Sequence, residues 1–354
     1  MKDIILQHFE NYPKSEIQDF FKLIYQSEFG PGHLISDKEA NYKNLLQEYA
    51  QLNESPKKNL TENLGSDLCR LHLQVLNQTS LSIKTLQRFF EMSATENIGN
   101  IENYYEKINQ LAAVADEYPF SFSPNDVISY KEKIIDTATK PLSHSETYHK
   151  NYSPNYRIVK RMFVDLLEIF TSIDALMREK ESVVVAIDGD CGSGKSTLSA
   201  MLANVYDCSV IPIDHFFLRG EQRNPERFAL PGGNIDQERF IEEVILPLKS
   251  GNDFSYRPFN CQTMELDSPV QVSQRKLAII DGSYSHHPEL ADFYDLKIFI
   301  SIPEELQLER ILKRNGEKAL DVFKERWIPM EKRYARLLDI KNKSDLEFDY
   351  MDFL

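Results

Sequence analysis

Cysteine is scarce in this chain, with four in 354 residues. Cys69, Cys191, Cys208 and Cys261 form no C-x-x-C pair and have no histidine at zinc spacing. That sets aside a disulfide framework and a cysteine-based zinc site, and the expectation is reduced thiols in a cytoplasmic protein. Long hydrophobic runs are also missing. No stretch approaches the roughly 20 consecutive apolar residues of a membrane span. Residues 1–8 turn polar after three apolar positions, too few for the core of a secretory signal. Neither secretion nor membrane insertion is expected. Basic residues are in deficit, 41 Lys and Arg against 55 Asp and Glu, for a net charge of −14. An acidic surface repels the phosphate backbone of nucleic acids and anionic lipid headgroups, so neither is an expected partner. An anionic small ligand would need a local positive site. There is no internal repeat and no low-complexity tract.

The hydrophobic fraction is 42%, with 21 Phe and 17 Tyr, ample for packed cores, and the length predicts two domains. Residues 1–155 read as an all-helical domain. Ser36-Asp37-Lys38-Glu39 has the form of a capping box before Tyr42, Leu45, Leu46 and Tyr49 at helical spacing. Ser123-Pro124-Asn125-Asp126 offers a cap, a first-turn proline and a first-turn acid. Ile101, Tyr104, Tyr105, Ile108, Leu111 and Ala112 make another apolar stripe. Residues 156–180 read as a helix bridging the halves.

From Val183 the texture changes to strands alternating with helices. Val183-Val184-Val185-Ala186-Ile187, Val210-Ile211-Pro212-Ile213, Leu277-Ala278-Ile279-Ile280 and Leu296-Lys297-Ile298-Phe299-Ile300 are short apolar runs suited to a buried parallel sheet. The first three end at Asp188, Asp214 and Asp281. Ligands of open α/β sheets bind at the carboxyl ends of strands, so acids there are placed for chemistry. The strand before Asp214 is expected to lie next to the one before Asp188.

Gly189-Asp190-Cys191-Gly192-Ser193-Gly194-Lys195-Ser196 satisfies G-x-x-x-x-G-K-[ST] in full, between a strand and a helix that opens with Ser196 and Thr197. Glycines let successive N–H groups curl around phosphate oxygens, and the helix adds the positive end of its dipole. Lys195 is placed to reach the β- and γ-phosphates of ATP, and the Ser196 hydroxyl to ligate Mg²⁺. Residues 189–197 are therefore the expected nucleotide site.

With these residues on the page, the region 183–348 resembles the uridine kinase and phosphoribulokinase branch of the P-loop kinases. Ile213-Asp214-His215-Phe216-Phe217 is similar to that branch's Asp-x-Phe-Tyr signature. Asn234-Ile235-Asp236 looks like its Asn-Phe-Asp element, and Ile279-Ile280-Asp281-Gly282 like the end of its Walker-B-like strand. Glu309-Arg310-Ile311-Leu312-Lys313-Arg314-Asn315 resembles its arginine-bearing lid helix. Trp327-Ile328-Pro329-Met330-Glu331 and Ser344-Asp345-Leu346 fall where the branch has a Pro-Met turn and an Ala-Asp strand. The resemblance implies an α/β fold, a nucleoside-kinase-like parallel sheet with flanking helices, preceded here by the all-α domain. It implies transfer of the γ-phosphate of ATP, with Mg²⁺, to a hydroxyl of a small-molecule acceptor, a nucleoside such as uridine being expected first. Pantothenate, glycerate or a sugar phosphate stay open.

The implied roles follow residue by residue. Asp214 would accept the hydroxyl proton, Asp281 would join Ser196 at the metal, and Arg310 and Arg314, one helical turn apart, would close on the transferring phosphate together with Lys195. His215, Phe217, Tyr256, Arg257 and Phe259 would form the acceptor pocket, with Arg219, Arg223 and Arg227 available to an anionic acceptor. The competing reading is a P-loop regulatory or assembly NTPase acting as a nucleotide switch. Cys191, beside a helix N-terminus, sits where a thiolate is favoured. His286-His287 reads as a loop near the site.

The N-terminal half resembles no known family. Its oddities are Phe29-Gly30-Pro31-Gly32-His33, read as a helix C-cap and turn, and Ser143-His144-Ser145-Glu146 followed by Tyr148, Tyr152, Tyr156 and Arg157. This half is expected to regulate, to serve a homo-oligomer or a protein partner, to recognise substrate, or to catalyse something else.

Overall fold

The computed structural model describes residues 1–31, 37–52, 55–94, 99–134 and 140–349. The chain divides into two compact units, Met1–Thr171 and Ser172–Leu354.

The first unit is helical through Lys2–Asn11, Ile17–Phe29 and Lys38–Ala50, as the apolar spacing predicts. Ile101–Glu117 and Pro124–Ile134 are helices too, the latter opening at Ser123, whose hydroxyl donates to Asp126 Oδ2 at 2.7 Å. The helix Lys38–Ala50 is capped by Asp37, which accepts from Ala40 N at 3.1 Å; Ser36 of the expected capping box lies outside the described residues. Gly30, at φ +56°, ends the helix Ile17–Phe29 as expected, while Gly32 and His33 lie outside the described residues. Phe20, Phe21, Tyr104, Ile108, Leu111 and Val127 form the apolar core of these helices.

The unit also contains strands that an all-helical reading lacks. β1 (Thr61–Gly65), β2 (Leu68–His72) and β3 (Tyr156–Lys160) make an antiparallel sheet in that order. Their sequences, TENLG, LCRLH and YRIVK, carry no aliphatic alternation, because Arg70 and His72 stand among the buried residues where an aliphatic would be expected. The usual period-2 signal of a half-buried strand is therefore absent. Residues 156–180 are not one bridging helix either, because Tyr156–Lys160 pairs with β2. They form β3, the short helix Arg161–Asp165 and the helix Leu167–Glu179.

The second unit is built on β4 (Val183–Gly189), β5 (Cys208–Pro212), β10 (Leu277–Asp281), β11 (Leu296–Ser301) and β12 (Leu346–Asp349). Two ribbons, β6 (Phe254–Tyr256) with β9 (Val270–Val272) and β7 (Phe259–Asn260) with β8 (Glu265–Leu266), are inserted between β5 and β10. The sheet runs β12-β11-β4-β10-β5, all parallel. Every residue of β10 is buried, as a central strand covered on both faces requires. Each such aliphatic contributes about 1.5–3 kcal/mol by leaving water. β5 is not beside β4, as the sequence reading has it; β10 lies between them, with Asp281 level with Ile187 on one side and Pro212 on the other. A right-handed crossover through helix Lys195–Val205 places β5 one strand further out. Three adjacent strands thus end together. Among the described residues no helix is long and apolar enough to cross a membrane.

The second unit has its own sheet and its own core around Ile211, Phe216, Phe240, Ile280 and Phe299. A fragment of residues 172–354 is therefore expected to unfold in one cooperative transition, followed by circular dichroism against urea. A fragment with no transition would mean that its core is incomplete alone.

Candidate active site

The phosphate loop leaves β4 at Gly189. A β-carbon there would stand 2.0 Å from the carbonyl oxygen of Ile300 on β11, and φ is +141°, so only glycine fits. The loop is held from outside by side chains. Gln307 Nε2 donates to the carbonyl of Cys191 at 3.0 Å, and Arg310 Nη1 to that of Gly192 at 2.9 Å. Asp190 accepts from Ile302 N at 3.1 Å. Gly194, at φ +106°, caps the helix Lys195–Val205, whose first N–H groups face the loop. Lys195 Nζ donates to the carbonyls of Gly189 (2.9 Å) and Asp190 (2.8 Å), which holds its ammonium over the loop.

Beside this loop opens a cavity of about 930 Å³. It is lined by Cys191, Gly192, Gly194, Lys195, Ser196 and Thr197 of the loop, by Asp214 and Asp281, and by Arg310 and Arg314. Asp281 ends β10; Asp214 sits in the 3₁₀ turn Ile213–Phe216 that follows β5. Sunk in the cavity though reached by solvent, Asp214 is pushed up to about 6 by desolvation, with Lys195 opposing and Asp281 adding to the rise. Burial also raises Asp281, against the Ser196 hydroxyl and Lys195. One oxygen of Asp281 is buried with no hydrogen-bond partner among the described residues. The helix Glu304–Asn315 carries both arginines on one face, and Arg314 Nη2 lies 3.8 Å from Cys191 Sγ. The Cys191 thiol is not held as a thiolate. Burial pushes it up to about 11, despite Lys195 and Arg314 nearby.

Of the residues assigned to the acceptor pocket, Phe217 lines the cavity and four do not. Tyr256 is buried against Phe216, its hydroxyl 2.9 Å from His215 Nδ1, so both belong to the core under the site. Arg257 closes a hairpin, donating to the carbonyl of Asp267 at 2.7 Å. Phe259 is buried beneath the guanidinium of Arg223, 5.3 Å from its ring centroid. Gly189, Asp190 and Ser193 shape the loop without lining the cavity. Of the three loop arginines, Arg223 lines the cavity, while Arg227 is tied to Glu238 and Gln237, and Arg219 lies 3.5 Å from Asp236 and from Glu221.

The cavity also recruits Asn234, Tyr284, Phe323, Arg326, Trp327 and Glu331, which carry no assigned role in the sequence reading. Glu331 is the most consequential. Its Oε2 accepts from Cys191 N at 2.9 Å, and burial raises it to about 7 against the pull of Lys195. It stands on the helix Ile328–Leu337, where the sequence reading has a Pro-Met turn; the proline occupies the first turn of that helix. A carboxylate following proline in a first turn reads as an ordinary helix-dipole partner, so nothing local marks it as part of the site. His286 lies in the loop after β10, as expected, and is structural: its ring bonds Ser344 Oγ at 3.0 Å and the Ala186 carbonyl at 3.2 Å.

No protein-family model matches the chain. Over 138 residues, 38% of this chain, it is 25% identical to a phosphoribulokinase of Synechocystis sp., and it spans 42% of that protein's length. Over 170 residues, 42% of this chain and 72% of the relative, it is 26% identical to a Schizosaccharomyces pombe protein described as a candidate uridine kinase. A solved structure of a possible uridine kinase from Bacillus stearothermophilus aligns over its whole length and 51% of this chain, with 21% identity and a TM-score of 0.38.

Asp188 does not face the cavity. Its carboxylate accepts from Gly189 N (2.7 Å), Tyr284 N (3.0 Å), His286 N (2.9 Å) and the Tyr334 hydroxyl (2.8 Å), all buried. Asp188→Ala is expected to lower unfolding free energy by at least about 2 kcal/mol, since each orphaned buried donor costs about 1–3. Urea denaturation of the full chain measures it; a loss within the scatter of surface substitutions would mean the carboxylate is dispensable to the fold.

Proposed function

We propose that the C-terminal unit, whose motifs resemble in their order those of the uridine kinase and phosphoribulokinase branch of the P-loop kinases, transfers the γ-phosphate of ATP to a hydroxyl of a small molecule. One observation carries the proposal. The neighbouring strands β4, β10 and β5 deliver the phosphate loop, Asp281 and Asp214 to a single cavity that two lid arginines also line.

The loop N–H groups and the helix N-terminus would hold the phosphates, with Lys195 at the β- and γ-positions. Ser196 and the unpartnered oxygen of Asp281 suit Mg²⁺, a hard cation that prefers oxygen ligands. Bound there, the ion would neutralise phosphate charge during transfer. Asp214, with Lys195 and Asp281 close by, would orient the acceptor hydroxyl and take its proton. Arg310 and Arg314 would stabilise charge spread over the transferring group. A nucleotide switch needs no carboxylate at the mouth of an acceptor cavity, so Asp214 favours transfer over switching.

The nucleoside reading loses support from the hairpin, since Tyr256 and Phe259 pack into the protein interior. The wall beside Phe217 instead presents Arg223 and Asn234. A guanidinium there suits an acceptor that bears its own anionic group, which favours a sugar phosphate among the open acceptors. A coupled ADP-release screen of sugar phosphates, nucleosides, pantothenate and glycerate with Mg-ATP tests this. Stimulation by neutral nucleosides alone would reject the anionic acceptor.

Lys195→Ala is expected to reduce turnover by at least about 10²-fold with an unchanged melting curve. Retention of more than about a tenth of the activity would reject the phosphate-loop assignment. Asp214→Asn is expected to cut transfer by about 10²–10⁴-fold while Mg-ATP affinity, measured by calorimetry, changes little. The proton acceptor works only when ionised, and its pKa in the free protein is raised to about 6. kcat/KM should therefore climb as pH rises through about 6 and level above it. Asp214→Asn should flatten that limb. An unaltered profile in the variant would remove Asp214 from proton transfer.

A further inference from the structure

The N-terminal unit encloses a chain of polar side chains with no counterpart in its apolar core. Arg70 of β2 is fully buried, its guanidinium donating to Gln26 Oε1 at 2.6 and 2.9 Å and to Glu62 at 3.2 Å. The same guanidinium lies 4.8 Å from the ring centroid of Tyr156. Gln26 Nε2 donates to the Tyr156 hydroxyl oxygen at 2.9 Å, and His144 Nε2 is 2.7 Å from it. His144 Nδ1 is 2.9 Å from Asp19, a carboxylate that also accepts from Ser145 N, Ser145 Oγ and Glu16 N. Those donors keep Asp19 ionised although burial opposes it, so His144 donates through Nδ1 and accepts the Tyr156 proton at Nε2. Burial holds His144 down to about 4, so it is uncharged at neutral pH.

A network of this kind could be wholly structural. Two features at its open end point beyond structure. Gln26, His144 and Tyr156 line a cavity of about 400 Å³, whose rim adds the amides of Asn41 and Asn44. Its size falls within the usual range of small-molecule sites, and its walls are about equally polar and apolar. The two cations that line it are held differently. Arg157 is spent on Glu48, in a two-pronged pair at 2.7 and 3.0 Å. Lys22 has no carboxylate partner among the described residues; its ammonium donates to the Leu142 carbonyl at 2.6 Å. Desolvation and then Arg70 lower Lys22 to about 8, against the pull of Asp19. An ammonium has three donors, and this one has further hydrogens to offer an anion in the cavity that it lines.

We propose that this cavity is a second ligand site of the protein, taking the oxyanion of a small molecule, a phosphate or a carboxylate, on Lys22 and the second amide hydrogen of Gln26, against a wall formed by His144 and Tyr156. These four residues come from the helix Ile17–Phe29, the loop before the helix Glu146–Tyr152, and β3. The Ser143-His144-Ser145-Glu146 stretch and the tyrosines that follow it thereby acquire a role. The site is independent of the phosphotransfer reading.

The test uses the full chain carrying Lys195→Ala, which weakens anion binding at the phosphate loop, and the Lys22 variants below assign the binding to the second cavity. Equilibrium dialysis with radiolabelled sulfate, and separately succinate, should retain one saturable anion per chain. The preferred probe separates a phosphate-like from a carboxylate ligand, and either preference supports the site. Adding Lys22→Met should weaken binding by at least about tenfold, the loss of a charge-assisted contact, while Lys22→Arg should retain most of it. A second measurement serves should Lys22→Met fail to fold. Saturating anion should protect Lys22 from acetic anhydride, read by mass spectrometry, with Lys14 as the exposed control. Absence of saturable binding, binding unchanged by Lys22→Met, or acetylation of Lys22 unaffected by the anion would each overturn the proposal.

Discussion

The carboxylate of Asp188 joins three separate pieces of the C-terminal unit at the end of β4. It takes the first N–H of the phosphate loop, two N–H groups from the loop that follows β10, and the Tyr334 hydroxyl from the helix Ile328–Leu337. That helix carries Glu331, which in turn holds the N–H of Cys191. A buried ionised acceptor is tolerated only when its lone pairs are satisfied, and here each bond also sets the position of an element at the cavity. The phosphate loop, the β10 loop and the Glu331 helix are therefore placed relative to one another by one side chain. The acids proposed to act in transfer, Asp214 and Asp281, are left free of that duty.

Electrostatics follow from this arrangement. In a chain of net charge −14 the cavity concentrates Lys195, Arg223, Arg310, Arg314 and Arg326. Lys195 lies among Asp190, Asp214, Asp281 and Glu331, opposing the rise that burial imposes on each. Desolvation wins at all four. Asp214, raised to about 6, and Glu331, raised to about 7, thus sit near the point where a small change in local charge alters their protonation, the regime in which general acid–base groups operate.

The N-terminal unit uses its interior differently. Its aromatic core is ordinary, but its sheet turns Arg70 and His72 inward, satisfied by Glu62 and Gln26. Replacing such groups with aliphatics of the same volume is often neutral or stabilising, so their presence argues for a purpose other than stability.

The sequence by itself determined the phosphate loop, the alternation of strands and helices after Val183, and the acids at the strand ends, because those signals are local. A glycine-rich turn, a buried apolar strand and an amphipathic helix each satisfy their own backbone and solvation demands within about a dozen residues. The separation of Asp188 from Asp214 and Asp281 was not legible, since all three end apolar runs; only strand order and the donors around Asp188 distinguish an anchor from a reagent. The same holds for Tyr256 and Phe259, aromatic in either environment, and for Glu331, which reaches the loop from 140 positions away. The strands of the first unit were hidden because they are short and their buried positions mix Arg70 and His72 with apolar residues. The tertiary structure alone decided which side chains share a cavity, because cavities are lined by residues that packing brings together from distant segments, and packing leaves no period in the sequence.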